Sequence, residues 1–140
     1  MNDESDEFAV WADALSEPGV RGAEAMRRIV DWQRVLTSRG VLVSSVIPAH
    51  PTPEVAAAAM EQLLQFVGTG VTDWNSRAAC LAIRTLAPYA RASERNLKLQ
   101  GRIGRAQREM GRSPDRGNLK LAIQLLRGSI DDEYALMETI

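Results

Sequence analysis

Histidine and cysteine are nearly missing from this 140-residue chain, which holds one of each, His50 and Cys80. A lone imidazole and a lone thiol have no second partner with which to build a metal cage or a Cys/His catalytic pair, so the composition argues against an enzyme and against a bound cofactor. Cys80 cannot close an internal disulfide, which fits a reducing compartment. No run approaches the ~18–20 apolar residues of a membrane span. The opening Met1-Asn2-Asp3-Glu4-Ser5-Asp6-Glu7 is the reverse of a basic-then-apolar signal peptide. The expected location is therefore the cytoplasm, or a virion or nucleoprotein assembly, with no membrane and no small-molecule substrate.

What is present describes one domain over residues 1–140. The chain is 45% hydrophobic and nearly neutral, with 17 Lys and Arg against 18 Asp and Glu. A chain of this size buries roughly 70% of its unfolded surface, enough for a single core without metal or disulfide. The charge is unevenly distributed. Residues 1–17 carry Asp3, Glu4, Asp6, Glu7, Asp13 and Glu17 and no base, and residues 129–140 carry Asp131, Asp132, Glu133 and Glu138 and no base. Between them, residues 91–128 hold ten bases against Glu94, Glu109 and Asp115, a local charge of +7.

Helical spacing dominates, and we expect an all-α bundle of six or seven helices. Phe8, Trp11 and Leu15 share one face of a short first helix ended by Pro18-Gly19. Ala25, Ile29, Trp32 and Leu36 line a second, over about 20–39, closed by Gly40 at C′. Val41–Ile47 is β-branched, and Pro48, Pro51 and Pro53 keep the chain extended to about residue 52. No second strand-like segment exists to pair with this stretch, which is either a coil over the core or an arm that pairs with another copy. Thr52-Pro53-Glu54 reads as N-cap, N1 proline and first-turn acid of a helix to about Val67. Thr72 can cap the next, whose Ala79, Ile83, Leu86 and Ala90 form a buried stripe. Pro88 should bend or break it, so that 73–87 and 88–110 are one bent helix or two. Leu119–Leu126 and an acidic helix within 129–140 complete the series.

The basic segment 77–112 carries the functional argument. On a helical wheel Arg91, Arg95, Lys98, Arg102, Arg105 and Arg112 fall within an arc of about 100°, beside a seam of Leu99, Ile103, Ala106 and Met110. Arg77 and Arg84 extend the band if the helix continues back through Pro88. Like charges three and four residues apart repel, so the ribbon calls for an anion from outside it. The arginine fork suits phosphate oxygens. Gly101, Gly104 and Gly111 lie on a third side, where they mark either a weak helix or turn or a close approach by another backbone. Of the aromatics only Tyr89 lies near the ribbon, which favours contact with the phosphate backbone over base stacking.

Three readings follow. The first is a non-enzymatic, coat- or nucleoprotein-like homo-oligomer that grips nucleic-acid backbone without sequence preference. The second is an interaction module or structural subunit whose ribbon meets an acidic partner or the acidic ends of another copy. The third is a DNA-binding regulator, since Ala106–Pro114 resembles the helix-then-turn entry of helix-turn-helix proteins. Gly117 departs from that pattern, standing where the second helix needs an apolar packing residue. His50 reads as a loop side chain and Cys80 as a small core residue. Asp131-Asp132-Glu133 fits a helix N-terminus better than a cation site.

Overall fold

The computed structural model describes residues 22–42, 47–68, 73–113 and 115–128. The helices expected near 8–15 and within 129–140, both acidic ends, residues 43–46 and the Thr72 cap lie outside the described residues. Within them are five α-helices and no strand: α1 Gly22–Ser38, α2 Pro53–Leu64, α3 Asp73–Ala90, α4 Asn96–Glu109 and α5 Arg116–Arg127. No helix among the described residues is long and apolar enough to cross a membrane.

Local chemistry sets the helix ends. Gly40 has φ +78°, its N–H donates to Thr37 and the Val41 N–H reaches back to Leu36 at 2.9 Å. This pair of bonds closes α1 in a Schellman motif, with the apolar Val41 folded onto the helix it has just left. Thr52 caps α2 by accepting from the Val55 N–H at 3.2 Å, and Pro53 occupies the first turn, where its missing N–H costs nothing. The extended stretch is laid on the core at both described ends. Val41, Leu42 and Ile47 are buried, and the Gln33 amide both donates to the Ile47 carbonyl and accepts from its N–H, as a neighbouring strand would.

The third helix is central, touching α1, α2 and α5. A helix covered on so many sides must be apolar around its circumference, and Ala78–Ile83 are all buried, with Leu86, Ala87 and Ala90 beyond. Small side chains on both partners bring α2 close: Ala56, Ala57 and Ala59 are buried on its side, with Met60, Leu63 and Leu64. Pro88 lies inside α3, which runs on only to Ala90. Having no N–H, the proline cannot donate to the carbonyl one turn back, and the helix stops within a turn.

Residues 91–95 then change the chain direction, so segment 77–112 is two helices rather than one continuous rod. Asn96 fastens this turn by donating to the carbonyls of Arg91 (2.7 Å) and Leu126 (3.0 Å). Asn96–Leu126, Gln100–Arg127 and Gly104–Ile123 approach one another in that order, so α4 and α5 form an antiparallel hairpin closed by Gly111 (φ +62°). Residues 106–113 of the stretch resembling a helix-turn-helix entry form the end of α4 and the turn that follows it, and α5 begins at Arg116.

Candidate nucleic-acid interface

The eight cations of the expected ribbon separate into three groups. Arg77 and Arg84 face α5: the Arg77 guanidinium is 4.0 Å from Asp115, and Arg84 donates to the Asn118 side chain at 3.2 Å. Both are half-buried packing residues between helices. Arg91 sits in the turn with its guanidinium over Gly128, where an added Cβ would come within 2.6 Å of it. That places a cation at the carboxyl end of α5, the end that favours positive charge.

Arg95 and Arg102 form the second group, and α2 neutralises them. Glu61 lies 2.7 Å from Arg95 through one carboxylate oxygen and 3.7 Å from Arg102 through the other, while Glu54 lies 3.7 Å from Arg95. The relief that the ribbon lacks within itself comes from residues 34 to 41 positions earlier in the sequence. Lys98, Arg105 and Arg112 make up the third group. They are exposed, and no carboxylate among the described residues lies within 4 Å of them. The predicted residues are therefore not brought together as one free face.

A second basic surface lies on the other flank of α4. Between α4 and α5 runs an open groove of about 550 Å³. The α4 wall supplies Gln100, Gly101, Gly104, Gln107 and Arg108, and the α5 wall Arg116, Lys120, Ile123, Gln124 and Arg127. Four cations and three amides face this space and no carboxylate does. Two of the cations are held in place by neutral oxygens, Arg116 by the Gly111 carbonyl at 3.2 Å and Arg127 by the Gln100 side chain at 3.0 Å. Neither contact cancels charge, so the groove presents both positive charge and donors. Arg116 and Lys120 repel each other at i, i+4, by ~0.2–0.5 kcal/mol.

The α5 cations had a signal in the sequence. Arg116, Lys120 and Arg127 recur at i, i+4 and i+11, one stripe of a helix whose opposite side buries Leu119, Ala122, Leu125 and Leu126. Ending the basic segment at Arg112 hides it.

The groove offers no carboxylate, imidazole or thiol for proton transfer or nucleophilic attack. The exposed His50 lies in the loop before α2. Cys80 is fully buried in α3, and burial, with a smaller push from Asp115, raises its thiol to about 12 despite a hydrogen bond with Ser76. Such a thiol packs as a small apolar side chain. Among the described residues no three His, Cys, Asp or Glu side chains are grouped to hold a metal. The chain matches no protein-family profile, no curated protein sequence and no solved structure.

The glycines of α4 are the remaining local feature. Gly101 and Gly104 lie within the helix without positive φ, and each costs it ~1 kcal/mol relative to alanine. A Cβ at Gly101 would meet nothing within 4 Å, and one at Gly104 would make only ordinary contacts with Arg108 (3.8 Å) and Ile123 (4.0 Å). Packing among the described residues requires neither glycine.

Proposed function

We propose that this is a non-enzymatic helical protein that binds the phosphate backbone of nucleic acid without sequence specificity and works as a homo-oligomer, in the manner of a nucleoprotein or coat subunit. One observation supports the reading above the others: the α4–α5 groove gathers Arg108, Arg116, Lys120 and Arg127 with no carboxylate among its walls. Charges so placed are stabilised by an anion supplied from outside, and guanidinium forks match phosphate oxygens. The groove lining holds no aromatic residue on which a base could stack, which favours backbone contact. Exposed Lys98, Arg105 and Arg112 widen the basic surface of the same hairpin. Assembly belongs to the same reading, because the acidic ends of one copy complement the hairpin of another in sign.

The test is retention of labelled polynucleotide at low ionic strength. Arg108→Glu with Lys120→Glu should abolish it while helicity and melting temperature stay near those of the wild type, and light scattering should report a species larger than a monomer of about 15.4 kDa. A second reading, an acidic protein partner, draws support from Glu54 and Glu61, since these show the cations of α4 accepting carboxylates within the fold. That reading predicts unchanged binding to polynucleotide-free lysate proteins after nuclease treatment. The first predicts that the bound material is lost.

A further inference from the structure

The two glycines and the cation groove meet at one place, and this deepens the nucleic-acid reading, on which it rests. Gly101 and Gly104 weaken α4, no positive φ requires them, and the described packing has room for a Cβ at both. Both line the groove, with Arg108 one turn beyond Gly104 on the same helix and Lys120, Ile123 and Arg127 across from them. Their lack of side chains leaves bare α4 backbone on the lining of a space that also holds four cations. We infer that a single polynucleotide strand lies lengthwise in the α4–α5 groove, its sugar-phosphate backbone against Gly101 and Gly104 and its bases turned to solvent.

The strand is single for a mechanical reason. A flexible single strand can lay its backbone along the groove lining, whereas a stiff duplex holds its phosphates on a rigid cylinder. The α5 cations lie along the groove rather than around a point: residues 116 to 127 span roughly 16 Å at 1.5 Å per residue. A free phosphate or a mononucleotide would engage only part of that row, whereas a strand engages all of it. With four cations on four phosphates, the logarithm of affinity for a single strand should fall with that of salt at a slope of about 2.8.

The experiment measures fluorescence anisotropy of the full chain with a labelled 20-nucleotide homopolymer, and compares Gly101→Leu, Gly104→Ala and Arg108→Glu. Both glycine variants should keep the helical content of the wild type and melt no lower, because the helix gains propensity and position 101 has open space for the new side chain. Gly101→Leu should nevertheless bind the single strand at least tenfold more weakly, Gly104→Ala a few-fold more weakly, and a duplex of equal length should bind the wild type less tightly than the single strand does. Folded glycine variants that bind as the wild type does overturn the inference. So does a duplex that binds more tightly, or displacement of the strand by polyglutamate at equal charge concentration. If Arg108→Glu abolishes binding while Gly101→Leu leaves it intact, only the seating in the groove fails. If the wild type binds no polynucleotide, the underlying function fails with it.

Discussion

Glu61 is placed to distinguish two arginines that a helical wheel treats alike. Its carboxylate is 3.7 Å from Arg102, a separation at which a unit charge pair in water is worth about 1 kcal/mol. Arg102→Glu converts that attraction into repulsion of similar size, a swing of about 2 kcal/mol before screening and side-chain entropy reduce it. The two side chains are 40% and 21% exposed, and pairs of this kind typically measure at a few tenths to about 1 kcal/mol. A net loss of about 1 kcal/mol lowers the melting temperature of a chain this long by about 4 °C. Arg105→Glu, three residues further along and with no carboxylate among the described residues within 4 Å, should leave it unchanged. Circular dichroism melts of the two variants at low salt test this directly, and in 1 M salt, where the screening length is about 3 Å, the gap between them should narrow. Adding Glu61→Gln to Arg102→Glu should recover at most about half of the loss, because it removes the repulsion, restores no attraction and forfeits the Arg95–Glu61 contact. Equal melting temperatures for the two variants would refute the clamp and return Arg102 to the free surface.

Three further outcomes follow from single side chains. Cys80, buried and with its thiol pushed up to about 12, should resist iodoacetamide at neutral pH in the native protein and react only once denaturant opens α3; stoichiometric labelling of folded protein would contradict its burial. Burial raises the Asp115 carboxyl above its ordinary value, against the opposing pull of Arg77. Its contribution to stability is therefore full below the unfolded carboxyl's range and lost as pH rises through the folded one, so Asp115→Asn should match the wild type in denaturant midpoint near pH 3 and exceed it at neutral pH. A variant less stable at neutral pH would show that the ion pair outweighs burial. Gln33→Ala removes both hydrogen bonds to Ile47 and should cost about 1–3 kcal/mol in urea denaturation, whereas an unchanged midpoint would mean that the extended stretch is held by its apolar ends alone.

Signals in the sequence suffice where the physics is local. Thr52-Pro53-Glu54 opens α2 and Gly40 closes α1 because capping depends on a few adjacent residues. Pro88 marks the end of a helix, yet where the chain actually turns depends on Asn96 bonding to Leu126, a contact 30 residues away that no window reveals. The ribbon divides into groups for the same reason. A wheel for 91–112, extended to Arg77 and Arg84 on condition that the helix continues, takes account only of acids on its own axis, whereas α4 begins only at Asn96 and the neutralising acids, Glu54 and Glu61, come from α2. The free charge instead gathers where α4 and α5 run antiparallel, on a stripe that has an obvious period once the partner helix is known. Val41–Ile47 remained open from sequence because a β-branched segment without a partner strand admits several fates. In its described part, a glutamine side chain takes the partner's place.

The salt dependence of binding bears most directly on the central claim that the α4–α5 hairpin grips phosphate. Titrating a labelled single-stranded homopolymer with the full chain over a range of salt concentrations should give a slope of log affinity against log salt near −2.8, the value for about four phosphates, and nearly the same line for homopolymers of different base. Arg108→Glu with Lys120→Glu should shrink the slope and abolish measurable affinity at the salt concentration where the wild type still binds. No retention of the wild type at low ionic strength, or affinity independent of salt, would contradict the account.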